Sequence, residues 1–329
     1  MSLTRRDLLV GTGSGLLAVA LPPQSPGYAA SRAAIILRGG GFGTTWRAVL
    51  PAGSDVALVR RRFEAIIASV NNAVSPFHAN SKLSTFNATQ TTDWITVSST
   101  VEAILAEGLR IAAISSGAFE PTIGPLVHRF GFGPINSGTV GTYSEIEVGN
   151  GMIRKRRKDL TLDLCGIAKG YALDQMGEAL QDLGLRDFII EFGGEIRACG
   201  SHPLGRPWEV GIERPLAGPP YVQRIVRLEE MCLATSGDLV NAFVVAGRRY
   251  SHIVDPHTGN PVDNRVASVS VMAVTAMEAD ALATALFVMG PGLGSQFAAR
   301  HNIPALFLLL EKTEIRELVV SGFERSFVA

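Results

Sequence analysis

The sequence predicts an α+β fold in which mixed sheets carry packed helices. Three observations lead there. Short β-like runs alternate with longer segments of helical periodicity, no internal repeat or low-complexity linker separates them, and the 329 residues are 47% hydrophobic and 18% charged. A chain of that length buries a full core, and its mean hydropathy of +0.23 excludes disorder. Thirty basic residues balance thirty acidic ones, which removes the electrostatic footprint of a nucleic-acid or anionic-lipid binder.

The elements follow in chain order. Thr4-Arg5-Arg6-Asp7-Leu8-Leu9 is a twin-arginine pattern, followed by a Gly-interrupted apolar stretch, Leu8 to Leu21, and a small-x-small site at Gly27-Tyr28-Ala29. Residues 1–29 are therefore expected to be an export signal, too weakly apolar for stable membrane insertion, and residues 30–329 one domain working in the periplasm. Asp55 to Val74 carries Val56, Val59, Phe63, Ile66, Ile67 and Val70 at helical spacing. Thr100 to Ser116 repeats the pattern, with Ser99 or Thr100 as the cap. Met152 to Leu164 reads as a hairpin whose basic tip, Arg154-Lys155-Arg156-Arg157-Lys158, is a solvated turn. A helix from Ile167 to Leu183 ends at Gly184, and Phe188 to Phe192 is a buried strand closed by Gly193-Gly194. Val266 to Val274 alternates as a strand, Glu278 to Met289 is a helix ended by Gly290, and Pro304 to Leu310 is a second buried strand. Cys165, Cys199 and Cys232 have neither the spacing of a zinc site nor that of a disulfide framework.

Three segments carry chemistry-bearing side chains. Asp280 and Thr284, four apart on an Ala-rich helix, project from one face, and two converging oxygens suit a hard cation such as Mg²⁺. On spacing alone, a solvent-facing Asp and a Thr bonded back to its own helix is the plainer reading. Asp163-Leu164-Cys165-Gly166-Ile167-Ala168-Lys169 is a strand end, a Gly turn and a helix start, which offers free N–H groups and a cation to a phosphate. Ser251-His252-Ile253-Val254-Asp255 places a His where a neutral imidazole could serve as general base, while Asp255 shapes the following turn.

Seven segments together resemble, in order, the ApbE family of FAD:protein FMN transferases. They are Ser81–Asn87, Gly117–Leu126, Asp163–Ala172, Gly193-Gly194-Glu195-Ile196, Ala234-Thr235-Ser236-Gly237-Asp238, Ser251–Pro261 and Ala279–Gly290. The resemblance spans the chain after residue 29 and implies an ApbE-like, T-fold-like architecture. It implies Mg²⁺ held by Asp280, Thr284 and the backbone carbonyl of Gly166. Flavin contacts are implied at Phe42, Phe77, Ala118, Phe119, Glu120, Asp163, Lys169 and Val254, and a general base at His252. Phe42 stands where the family commonly has Met, Phe77 where it has Tyr, Glu120 where it has Asp, and Cys165 where it has Gly or Ser. FAD is then the substrate, and the partner is an acceptor flavoprotein that receives FMN on a Thr or Ser. The export signal and Gly131-Phe132-Gly133-Pro134 resemble the NosX-like branch, whose acceptor would be NosR in nitrous-oxide respiration. Two other activities share the same site: hydrolysis of FAD to FMN and AMP, and non-catalytic FAD binding in a respiratory complex.

Overall fold

The apolar run Phe188–Phe192 forms an interior strand of an eight-stranded sheet. In this computed structural model, residues 34–328 are described, apart from 217–218, 220, 238–242, 246–247 and 313; the expected export signal lies outside the described residues. The sheet comprises β1 (Ala34–Gly41), β2 (Thr44–Pro51), β3 (Phe188–Phe192), β4 (Glu195–Cys199), β5 (Cys232–Gly237), β6 (Val266–Ala273), β7 (Ala305–Glu311) and β8 (Glu314–Val320), adjacent in that order. Every adjacent pair is antiparallel. The α+β class holds, but the sheets are antiparallel and not mixed. Among the described residues, the parallel pairing is confined to the isolated bridge between Thr139 and Leu160.

The pleat sends successive side chains to opposite faces. Phe188, Ile190 and Phe192 face the helices, while Ile189 and Val49 face a smaller core with Trp208, Val210, Val226 and Phe323. The helices are α1 (Val56–Val74), α2 (Lys82–Ala88), α3 (Ser99–Ile114), α4 (Gly124–Arg129), α5 (Cys165–Asp182) and α6 (Ala276–Arg300). Asp55 caps α1 by accepting from Leu58 N–H at 2.9 Å, and α1 buries Val59, Phe63, Ile67 and Val70 as its spacing requires. The cap of α3 is Ser98, one residue before those expected. Gly184 takes a left-handed φ of 77° just past α5, where a Cβ would be strained.

Helix α6 runs further than expected. Gly290 breaks it with a φ of 70°, and a second segment then continues to Arg300. Pro291 has no N–H for the carbonyl of Phe287 four residues back, and Asn264 Nδ2 donates to that carbonyl at 2.9 Å. By length and composition α6 could cross a membrane, yet it is bent and packs into the core.

Helices α5 and α6 meet at a Gly contact that places the later chemistry. A Cβ on Gly170 would lie 2.6 Å from Met277 Cα and run into the Ala276 carbonyl. Asp174 of α5 then accepts from Ala276 N–H at 2.8 Å and Met277 N–H at 2.9 Å, capping α6 from its neighbour. Gly170→Ala must push the two helices apart, since the obstacle is backbone. Urea unfolding should show a loss of about 1–3 kcal/mol; an unchanged midpoint would mean that the contact is loose.

The expected Met152–Leu164 hairpin is corrected. Met152–Lys155 pairs instead with the preceding strand Ile146–Gly149 and with Ile95–Thr96. The turn is Asn150-Gly151, with φ of 56° and 72°, the left-handed pair that a two-residue hairpin loop demands. The basic run is correspondingly not a free turn. Arg154 and Arg156 pair with Glu147 at 2.7 and 3.0 Å, and strand alternation drives Lys155 into the core. There its ammonium donates to the carbonyls of Leu160 at 2.9 Å and Phe86 at 3.3 Å. Leu160, Leu162 and Leu164 are all buried, leading irregularly into α5 and not alternating along a strand.

Candidate active site

Three loops and two helices converge where α5 begins. Asp280, one turn into α6, is buried and accepts from Gly170 N–H of α5 at 3.1 Å. Its other oxygen lies 3.6 Å from Lys169 Nζ. Thr284 follows on the same face, as the i, i+4 spacing requires, and its hydroxyl is 3.3 Å from Ser236 Oγ at the end of β5. Gly166 lies against Thr284 and Phe119: a Cβ there would stand 3.5 Å from Thr284 Oγ1 and 3.3 Å from the Phe119 ring. Gly166, more than a hundred residues away in the chain, thus adjoins Thr284, which shares a helix face with Asp280.

Lys169 is the charge at the centre. Its Nζ donates to Glu195 Oε1 at 2.8 Å, and Glu195 follows the Gly193-Gly194 turn between β3 and β4. Burial works against the ammonium, but the Asp280 and Glu195 carboxylates outweigh it and hold its pKa above the ordinary lysine value. Burial also pushes both carboxyls upward, against the opposing pull of Lys169. Sequence reasoning quoted Glu195 within a motif but gave it no role; its signal was a carboxylate directly after two left-handed glycines.

The β1–β2 tip completes one wall. Phe42, with a φ of 50°, stacks on Phe192 at 5.2 Å between ring centres, and a Cβ on Gly193 would touch both Thr44 and the Lys169 stem. Phe119 is buried against Gly108 and Gly166 on the loop after α3, where Ser115 Oγ accepts from Phe119 N–H at 3.2 Å; Ala118 is buried beside it. Glu120 turns inward: it accepts from Thr122 N–H, Thr122 Oγ1 and Tyr143 N–H at 2.8–2.9 Å, which makes it a brace for this loop. Asp163 accepts from Cys165 N–H at 2.9 Å, ordering the first turn of α5. Val254 is buried in a short pairing with Pro261. Phe77 joins none of these contacts and is 67% exposed on the loop after α1.

His252 follows the short strand Arg248–Tyr250. Its Nδ1 is closed to solvent with no hydrogen-bond partner among the described residues, and its ring meets the edge of Phe132 at 6.1 Å. Burial, helped by the charge of Lys169, pushes its pKa down to about 4, so the imidazole is neutral at pH 7. His257, in the same loop, is 3.0 Å from the Ser116 carbonyl through Nε2 and ties this segment to the Phe119 loop.

The donor set suits a hard divalent cation: carboxylate, hydroxyl and main-chain carbonyl are all oxygen, and Asp280 already has one oxygen turned to a positive charge. Among the described residues, no three His, Cys, Asp or Glu side chains form a metal-holding group, so this one-carboxylate set leaves most of the ion's shell to water and phosphate.

Oxygen donors gathered beside a lysine at a helix start suit an α+β protein that handles phosphate. The chain belongs to the ApbE family, whose model matches residues 42–307. It is 34% identical over 304 residues to the FAD:protein FMN transferase of Vibrio cholerae serotype O1, covering 88% of this chain and 91% of that one. It is equally 34% identical to the Haemophilus influenzae enzyme of the same name, over 90% and 92%. Among solved structures, the flavin transferase ApbE from Vibrio cholerae superposes with a TM-score of 0.81 at 31% identity, covering 89% of this chain and 99% of that one. The apo flavinyl transferase ApbE of Pseudomonas stutzeri matches with the same score at 30% identity, over 90% and 98%.

Proposed function

We propose that the protein is an Mg²⁺-dependent FAD:protein FMN transferase that joins FMN through a phosphoester to a Thr or Ser of a periplasmic respiratory flavoprotein and releases AMP. The observation that carries this reading is that Asp280, beside Lys169, shares a helix face with Thr284, which Gly166 adjoins, on a chain similar to enzymes of that name. Export through the twin-arginine pattern supports the compartment, and a NosR-like domain is the first acceptor to try.

Asp280 Oδ1, Thr284 Oγ1 and the Gly166 carbonyl would hold the ion. When bound, the ion would neutralise charge on the diphosphate and on the departing AMP. Lys169 adds a fixed positive charge to the same end of the pocket. Phe42, Ala118, Phe119 and Val254 would supply apolar surface for the flavin and keep bulk water from the phosphorus. Since Nδ1 of His252 is closed off, the acceptor hydroxyl would meet Nε2. Nε2 takes the hydroxyl proton as that oxygen bonds to the phosphorus on the FMN side. The bond from that phosphorus to the bridging oxygen breaks, and AMP leaves with the oxygen.

Mass spectrometry of an acceptor domain after incubation with the protein, FAD and Mg²⁺ tests the reading. A gain of one FMN phosphoester on a Thr or Ser, with equimolar AMP, is the expected result. Rapid AMP release without any acceptor would replace transfer by hydrolysis, and tight FAD binding with neither product would make the protein a carrier.

The depressed His252 pKa carries a sign. Unfolded, a histidine titrates near 6.5, whereas here protonation waits until about pH 4. Between those values the unfolded chain binds a proton that the folded one does not. Stability from this group is therefore complete above about pH 6.5 and falls as pH drops toward 4. Melting temperatures at pH 7 and 5 should diverge more for the wild type than for His252→Gln. The acid limb of kcat/KM should likewise lie well below 6.5; a limb at 6.5 would contradict a buried base.

A further inference from the structure

One ammonium serves two buried carboxylates. Lys169 Nζ donates to Glu195 Oε1 at 2.8 Å and stands 3.6 Å from Asp280 Oδ1. Glu195 is almost completely buried, yet its second oxygen, Oε2, has no hydrogen-bond partner among the described residues. A buried carboxylate oxygen left without a donor is costly, and such atoms are rare enough that each calls for a reason. Oε2 belongs to the carboxylate that already holds Lys169, whereas Asp280 is the group that would face a divalent cation. An ammonium beside Asp280 opposes that cation, so binding requires Lys169 to draw back without losing its own counter-charge.

We propose that Glu195 is a positioning residue that receives Lys169 when a divalent cation takes Asp280. The ammonium turns from Asp280 Oδ1 onto the partnerless Glu195 Oε2, keeping its bond to Oε1. Asp280 is freed for the ion, and the positive charge of Lys169 stays within the pocket for the diphosphate. The inference rests on the metal assignment of Asp280 made above and adds a role for a residue that touches neither the ion nor the substrate.

Calorimetric titration of the flavin-free full chain with MgCl₂ alone tests it. Glu195→Gln keeps the side-chain shape but removes the charge that retains the lysine. It should weaken Mg²⁺ binding about tenfold, the scale of one charge-assisted hydrogen bond. Lys169→Met removes the competing ammonium and should tighten binding. Adding Glu195→Gln to Lys169→Met should then change the affinity less than about twofold, because no lysine remains to be withdrawn. That double variant also deletes both charges of the buried pair together, which a fold tolerates better than losing one. An equal loss in both backgrounds, or none in either, overturns the proposal.

Asp280→Asn separates the two levels of argument. If it loses Mg²⁺ binding while the Glu195 effect is additive, only the role of Glu195 falls. If it binds Mg²⁺ like the wild type, the metal assignment falls and this inference with it. Glu195→Asp keeps the counter-charge and should retain most of the affinity; loss as large as that of Glu195→Gln counts against the proposal.

Discussion

Asp280→Asn abolishes most FMN transfer in the expected outcome, lowering kcat/KM by about 10²–10³-fold or more. Electrostatic stabilisation where charge develops is commonly the largest single contribution to catalysis, and one donor alone is worth that factor. The amide can still accept from Gly170 N–H, so the α5–α6 contact at 3.1 Å survives and the loss is not one of folding. What disappears is the charge facing Lys169 and the ion. Transfer rates measured across a Mg²⁺ series should show a deficit that saturating metal reduces only partly. A variant that matches wild-type turnover would remove Asp280 from the site. Thr284→Val should follow in the same direction with a smaller effect, since a hydroxyl is a neutral ligand and Ser236 lies beside it at 3.3 Å.

His252→Ala has the second large effect. A general base contributes about 10²–10⁴-fold, and transfer should fall by that factor while FAD still binds. The separation follows from position: His252 packs against Phe132, whereas Phe42, Phe119 and Lys169 lie on other elements and keep their contacts. Stopped-flow transfer beside FAD binding by fluorescence reads both quantities. Wild-type transfer in this variant would end the assignment. Loss of FAD binding together with transfer would instead make the imidazole part of the flavin wall.

Much of the site was legible because its parts are local. Asp280 and Thr284 share a helix face by spacing alone, and the Gly166–Lys169 stretch announced a helix start. The resemblance implies a flavin contact at Glu120; what only the fold supplies is the bracing of its carboxylate by Thr122 and Tyr143, residues two and twenty-three positions away. The exposure of Phe77 is likewise set by the fold, since nothing in its own neighbourhood in the chain signals it. The basic run is different: five successive cations look like a solvated tip, but alternation along a strand turns some of them inward, and the Asn150-Gly151 turn sets this register.

The amino-acid order by itself determined α1, α3, α5 and the first part of α6, the cap close to Ser98, the break at Gly290 and the pairing of Asp280 with Thr284 on one face. Each depends on backbone geometry repeated over a few residues. Only the folded chain decided that Lys169 would sit between Glu195 and Asp280, that Ser236 would reach Thr284, and that Lys155 would be buried under Phe86. Those partners are brought together by the packing of α5 against α6 and by antiparallel pairing across the sheet. Such contacts depend on which surfaces exclude water together, and no short window of sequence carries that information.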